Sequence, residues 1–166
     1  MSSDTRSALL RLLQQDARMS SSVIAEQLGL SESEVESMIA ELQASGVIVR
    51  FTAVINDENL SDVTPRVRAL IELEIRPEKG VGFDKLAKRI ARYPSVIDQY
   101  LISGRYDFLV IVEEDSLQAV ARFVSEKLAG LENVKATTTH FILKKYKIKG
   151  AIMDVVESAE RLVVSP

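Results

Sequence analysis

Apolar positions recur at helical spacing through the first third of the chain, and beyond it they alternate with strand-like rhythm. Leu9, Leu10, Leu12 and Leu13 give residues 5–15 one broad apolar face, the pattern of a helix packed on a core. Residues 18–22, Arg18-Met19-Ser20-Ser21-Ser22, interrupt it. A serine hydroxyl there can accept from a free amide in the first turn of the next helix, residues 23–28. Gly29 stops that helix, because glycine enters the left-handed conformation at little cost. Ser31 with Glu34 three positions on is a capping box. It opens a third helix whose Val35, Met38, Ile39 and Leu42 fall at i, i+3, i+4 and i+7, a buried stripe that includes Met38 in the core. Gly46 closes this helix. Residues 47–55, rich in Val, Ile, Phe and Thr, predict a strand, with Arg50-Phe51 able to fold it into a short hairpin. Residues 56–65 are polar and carry breakers, which predicts a linker.

The remaining chain has a different rhythm. Val67, Ala69, Ile71, Leu73 and Ile75 alternate with Arg68, Leu70, Glu72 and Glu74, a half-buried strand. Pro77 and Gly80-Val81-Gly82 punctuate. Phe83, Leu86, Ala87, Ile90 and Tyr93 make a helical stripe, with Lys85, Lys88, Arg89 and Arg92 largely outside it, and Pro94 ends it. Strands follow over 96–103 and 106–112, joined by Gly104-Arg105. A second helical stripe is Leu117, Val120, Ala121, Val124 and Leu128, ended by Gly130. A long strand covers 134–146. Residues 150–166 predict a helical turn and a terminal strand. Strand–helix–strand twice over is the ferredoxin-like βαββαβ plan. Helices on one face leave the other sheet face open, and in so small a domain such a face is often an oligomer interface.

Composition narrows the chemistry. With 46% hydrophobic and 27% charged residues the chain is ordinarily globular, not disordered. No apolar run approaches the roughly 20 residues of a membrane helix, and no leader-like start is visible. A soluble, cytoplasmic protein without membrane contact is expected. Zero cysteines exclude disulfides and thiolate sites, and one histidine, His140, excludes a multi-histidine metal centre in one chain. No metal, cofactor or catalytic group is therefore expected, and His140 reads as a structural or surface residue. No phosphate-cradling glycine loop is present. Net charge is −3, and residues 1–55 carry all of it, with four basic against seven acidic side chains. Lys144, Lys145, Lys147 and Lys149 read as a solvated edge that discourages strand pairing.

Residues 22–45, two helices meeting at a tight turn around Gly29, have helix-turn-helix spacing. In order and spacing, residues 9–18, 25–31 and 42–48 together with Ser103-Gly104-Arg105-Tyr106-Asp107-Phe108 resemble the Lrp/AsnC, or feast/famine, family of regulators. The resemblance covers about nine-tenths of the chain and implies an α+β architecture. Its parts are a winged helix-turn-helix over 1–55, a linker over 56–66, a ferredoxin-like effector and dimerisation domain over 67–149, and a tail over 150–166.

The resemblance also implies an amino-acid-responsive, DNA-binding transcriptional regulator. Its expected partners are double-stranded DNA, a free amino acid, and further copies in a homodimer or octamer. DNA contact is expected through the third helix, where this sequence departs from the family. The outward positions are Glu32, Ser33, Glu36, Ser37, Ala40, Glu41 and Ala44, without a cation. Phosphate contacts normally come from basic side chains, and glutamates repel phosphate. The candidate DNA-binding residues are Arg18, Ser22, Ser33, Glu36, Ser37 and Arg50. The alternative is a sensor of the same family whose acidic head no longer binds DNA.

For the effector, the resemblance implies Ser103, Gly104, Arg105, Tyr106 and Asp107 on the loop, with Thr137, Thr138 and Thr139 on the last strand closing the same pocket. The chemistry is suitable: a carboxylate pairs with an α-ammonium, while amides and hydroxyls receive an α-carboxylate. From the residues alone, the loop is equally a plain hairpin in which Gly104 supplies an unusual backbone angle. Siroheme decarboxylases share the overall plan. One histidine and no basic cluster at 103–108 argue against that enzymatic reading.

Overall fold

In the computed structural model the described residues are 3–61, 64–76 and 83–153, the side chains of Ser3 and Glu58 excepted. The chain divides between Ile55 and Asn56 into two units.

The first unit is three helices, α1 (Ser3–Gln15), α2 (Ser21–Leu28) and α3 (Glu32–Ala44). Leu9, Leu13, Ile24, Ala25, Val35, Met38 and Leu42 form its core, with Ile39 and Ile48 packed against them. The Ser20 hydroxyl caps α2 by accepting from the Val23 amide.

The expected strand over 47–55 is not formed. Ile48 is held by its amide bond to the Leu42 carbonyl at 3.0 Å. Beyond it the backbone has no ladder, and Val49 is 86% and Ile55 61% exposed. The residues have strand propensity, but a strand needs a second one to receive its backbone hydrogen bonds, and this unit supplies none.

The second unit contains β1 (Val67–Ile75), α4 (Asp84–Ile90), β2 (Val96–Leu101), β3 (Phe108–Glu114), α5 (Leu117–Phe123) and β4 (Val134–Phe141). A two-stranded ribbon follows, β5 (Lys147–Ile148) with β6 (Ala151–Ile152). The main sheet has the order β2-β3-β1-β4, and every neighbouring pair is antiparallel. This is the ferredoxin-like arrangement. Ala69, Ile71, Leu73, Phe108, Val110 and Val112 point to one face, where Leu86, Ile90, Val120, Phe123 and Leu128 meet them. Edge-on ring contacts join Phe83, ahead of α4, to Phe108 of β3, and Tyr93, just past α4, to Phe123 of α5.

Several expected boundaries move. β4 ends at Phe141, not at residue 146, because the Ile142 amide reaches Arg68 at 2.9 Å and β1 offers little more to pair with. Helix α5 gives way at Val124 to a π-helical turn through Leu128, closed by the Ala129 amide on the Val124 carbonyl at 2.8 Å. Within α5, Phe123 is buried with Val120, and the expected Ala121 is exposed. Ile152, expected in a helical turn, is in β6. The expected tail elements beyond Met153, and the breakers Pro77 and Gly80 to Gly82, lie outside the described residues.

The chain enters the second unit pinned at two points. Asn56 Nδ2 donates to the Met153 carbonyl at 2.6 Å, and Lys145 Nζ lies 2.5 Å from Asp57 Oδ2. Lys145 is thus an ion-pair partner and not part of a solvated edge. Its ammonium holds the Asp57 carboxyl below the ordinary aspartate value, against a smaller opposing effect of burial.

Candidate functional site

The first candidate is the α2–α3 turn and the outer face of α3. Gly29 takes φ 66°, ψ 37°, and its amide returns to the Ala25 carbonyl, so the chain reverses within three residues. Ser31 then starts α3 with both arms of the capping box made. Its amide donates to Glu34 Oε2 at 2.8 Å, and its hydroxyl accepts from the Glu34 amide at 3.3 Å. The Ser31 amide, then the Ser31 hydroxyl donating to Glu34 Oε2 at 2.7 Å, lower the Glu34 pKa. Val35, Met38 and Leu42 anchor the inner side of α3. Its outer side is Glu32, Ser33, Glu36, Ser37, Ala40, Glu41 and Ala44, all exposed, with no cation. Of the other predicted DNA contacts, Ser22 is exposed on α2 and Arg50 on the unpaired segment. Arg18 is exposed in the α1–α2 turn, where its amide is bound to Asp16 Oδ1 at 2.8 Å.

The second candidate is the loop between β2 and β3. The Ile102 amide closes it on the Asp107 carbonyl at 2.9 Å. Asp107 is fastened to β1 twice: its amide donates to Leu73 at 2.9 Å, and its Oδ2 accepts from the Ile75 amide at 2.7 Å. Ser103, Gly104 and Arg105 form the exposed tip. Gly104 does not have the unusual angle expected of it. It has no positive φ, and an added Cβ would meet nothing within 4 Å. The turn therefore does not require glycine, and the space in front of it is open.

Tyr106 turns to the open sheet face, where its hydroxyl donates to Glu72. That bond to an anion, then lost hydration and the Glu72 charge itself, raise the phenol above its ordinary value. His140 Nε2 lies 3.3 Å from Glu72 Oε1 on the same face. Glu72 and His140 were not expected in any site. The alternation of β1 and β4 was the available signal, since it sends both to the side away from the helices. The register also separates the three threonines. Thr138 lies opposite Glu72 on the open face, while Thr137 and Thr139 lie opposite Leu73 and Ile71 and face the helices. They do not line one pocket together, because neighbouring strand residues point to opposite faces.

Among the described residues, no group of three or more His, Asp or Glu side chains is placed to hold a metal ion. No helix among the described residues is long and apolar enough to cross a membrane.

A helix-turn-helix unit followed by a ferredoxin-like unit with a tethered loop defines a two-part regulator, one part for DNA and one for a small ligand. Comparison with known proteins agrees with both halves. Residues 2–49 match the model of a winged helix-turn-helix DNA-binding domain, and residues 68–152 match the Lrp/AsnC ligand binding domain. The chain belongs to the Lrp/AsnC family of transcriptional regulators. It is 41% identical over 158 residues, 95% of each chain, to the uncharacterized HTH-type transcriptional regulator YugG of Bacillus subtilis. It is 28% identical to the regulator FL11 of Pyrococcus furiosus, covering 87% of this chain and 91% of that one. The fold is shared with MtbAldR, TM-score 0.74 at 24% identity over 90% of this chain and 99% of that one. It is also shared with the Neisseria meningitidis regulator NMB0573, solved with L-Met, TM-score 0.67 at 23% identity over 89% and 94%.

Proposed function

We propose that this protein is an amino-acid-responsive transcriptional regulator that works in the cytoplasm as a homodimer or as a ring of dimers. The observation that carries the effector half is the tethering of Asp107. With Oδ2 held by the Ile75 amide, the carboxylate is fixed in place at the foot of a loop whose Gly104 has open space in front of it. A fixed anion at an accessible loop suits an α-ammonium group, and Ser103 with the loop amides suits the α-carboxylate. Tyr106 and Thr138 reach the open face and Arg105 the tip, while Thr137 and Thr139 support the strand from the helix side. The likeness to a regulator solved with L-Met favours an amino acid as ligand. We assign the chain no catalytic role.

Dimerisation uses the open sheet face, where Leu70, Leu109 and Ile111 are half-buried and Tyr100 is exposed. The unpaired segment 47–55 gives a second copy a strand to pair with. A two-fold dimer reads two half-sites, so the operator is a pseudo-palindrome. In the head, Ser33 and Ser37 donate to phosphate, Glu36 accepts from a cytosine, and Arg18, Ser22 and Arg50 hold the backbone.

The acidic outer face of α3 favours a second reading, a sensor whose head has lost DNA. One experiment separates the two: a fluorescent duplex from the gene's own upstream region, titrated with salt, with and without each amino acid. Binding that weakens steeply with salt and shifts with one amino acid supports the regulator. No binding at low salt, with an amino acid still raising the melting temperature, supports the sensor.

A further inference from the structure

The cations that α3 lacks gather at α4. Lys85, Lys88 and Arg89 lie on the helix and Arg92 in the turn just past it, at the i, i+3, i+4 and i+7 spacing of one stripe, and all four are exposed. The opposite side of the helix is anchored by Leu86 and Ile90. Ion pairs in this unit are made by Arg66, Arg68, Lys135, His140 and Lys145; among the described residues the four cations of the stripe make none. Beside the stripe runs an open groove of about 370 Å³, with Lys85 and Arg89 on one wall and residues 130–133 on the other. Arg76 begins the chain past β1 at the end of that groove, its amide bound to the Asn133 carbonyl at 2.8 Å. Among the described residues, Asp84 in the first turn of α4 and Glu132 on the groove wall are acids near the stripe.

We infer that the stripe of Lys85, Lys88, Arg89 and Arg92 is a second DNA contact, which takes the phosphate backbone. The inference rests on the DNA-binding reading given above. A stripe of this length runs about 10 Å, and a single strand presents a phosphate every ~3.4 Å of helix axis, so about three phosphates pass along it. Polyanion attraction resides on the ligand-binding unit and base reading on the acidic head.

The test compares the full-length wild type with the Lys85→Gln, Lys88→Gln, Arg89→Gln, Arg92→Gln quadruple variant. The readout is affinity for the upstream duplex between about 50 and 200 mM salt. The stripe predicts at least a ~10-fold loss at low salt and a salt slope lower by about 2 to 3 per bound chain, with melting temperature and oligomeric mass unchanged. Lys88→Glu alone, less burdensome for the fold, should lose several-fold. Wild-type affinity and slope in both variants would overturn the inference while leaving the regulator reading intact, provided that Arg50→Gln weakens binding. Failure of the wild type to bind any duplex at low salt would remove the regulator reading, and this inference with it.

Discussion

The Asp107 carboxylate and the Ile75 amide, 2.7 Å apart, tie the β2–β3 loop to the last residue of β1. The residue proposed to meet the effector's ammonium is thus also a structural latch. Removing the charge and removing the latch are separable. Asp107→Asn keeps an oxygen for the Ile75 amide and should cost under about 1 kcal/mol, whereas Asp107→Ala strands that amide and should cost about 2 kcal/mol. Both should weaken effector binding by at least ~10-fold. Thermal melts with and without the amino acid read both quantities; equal effector affinity in Asp107→Asn and wild type would remove Asp107 from the site.

The glutamates on the outer face of α3 should repel any duplex. At about 10 Å in water each charge pair costs about 0.4 kcal/mol, so replacing Glu32, Glu36 and Glu41 with Gln should strengthen non-specific binding about eightfold at low salt. The gain should fade as salt rises. Fluorescence anisotropy with an unrelated duplex measures it. An unchanged affinity would mean that α3 does not approach DNA.

Asp57 predicts a pH dependence. Its pKa is below the ordinary 3.8 because of Lys145, so the folded state binds this proton less readily than the unfolded chain. The stabilisation is complete above the unfolded value and is lost as pH falls through the lower folded value. Asp57→Asn should therefore cost about 1 kcal/mol at neutral pH. The gap between variant and wild type should close as the pH drops below about 3.8. A gap that stays constant to acid pH would mean the pair contributes nothing through its charge.

Gln99 offers a stabilising change. Its side chain lies opposite Val110 on the helix side of the sheet, and both atoms of its amide are buried without a hydrogen-bond partner among the described residues. Gln99→Met keeps the shape and removes the stranded dipole, which should add about 1 kcal/mol, or roughly 2–4 °C in melting temperature. A lower melting temperature would show that the amide is used, for instance in contact with a second copy.

What the sequence made legible follows from how local each signal is. The three head helices were readable because caps and stripe lie within a few residues: Ser31 with Glu34, Val35 with Met38 and Leu42. The strands were readable from alternation, as in Ala69, Ile71 and Leu73. Features that depend on a distant partner were not. Residues 47–55 have strand composition but no strand to pair with. The end of β4 is set by where β1 begins. The spread of Thr137, Thr138 and Thr139 over two faces follows from register with β1, and resemblance alone had grouped them. Gly104 looked like a turn requirement and is not one. The Lys145–Asp57 pair joins residues far apart in the chain, which no spacing reveals.

The sheet order sets when each half of the molecule takes shape. The core of α1, α2 and α3 is built from residues 9–48, so that core can form early in synthesis, which proceeds at ~5–20 residues per second. β1 emerges next, yet it lies in the middle of the sheet, between β3 and β4. Ala69 must wait for Val112 on one side and for Phe141 on the other. From the time residue 75 is made until residue 114 is made, this strand has both edges open, and one edge stays open until residue 141, so it is then at its most vulnerable to aggregation.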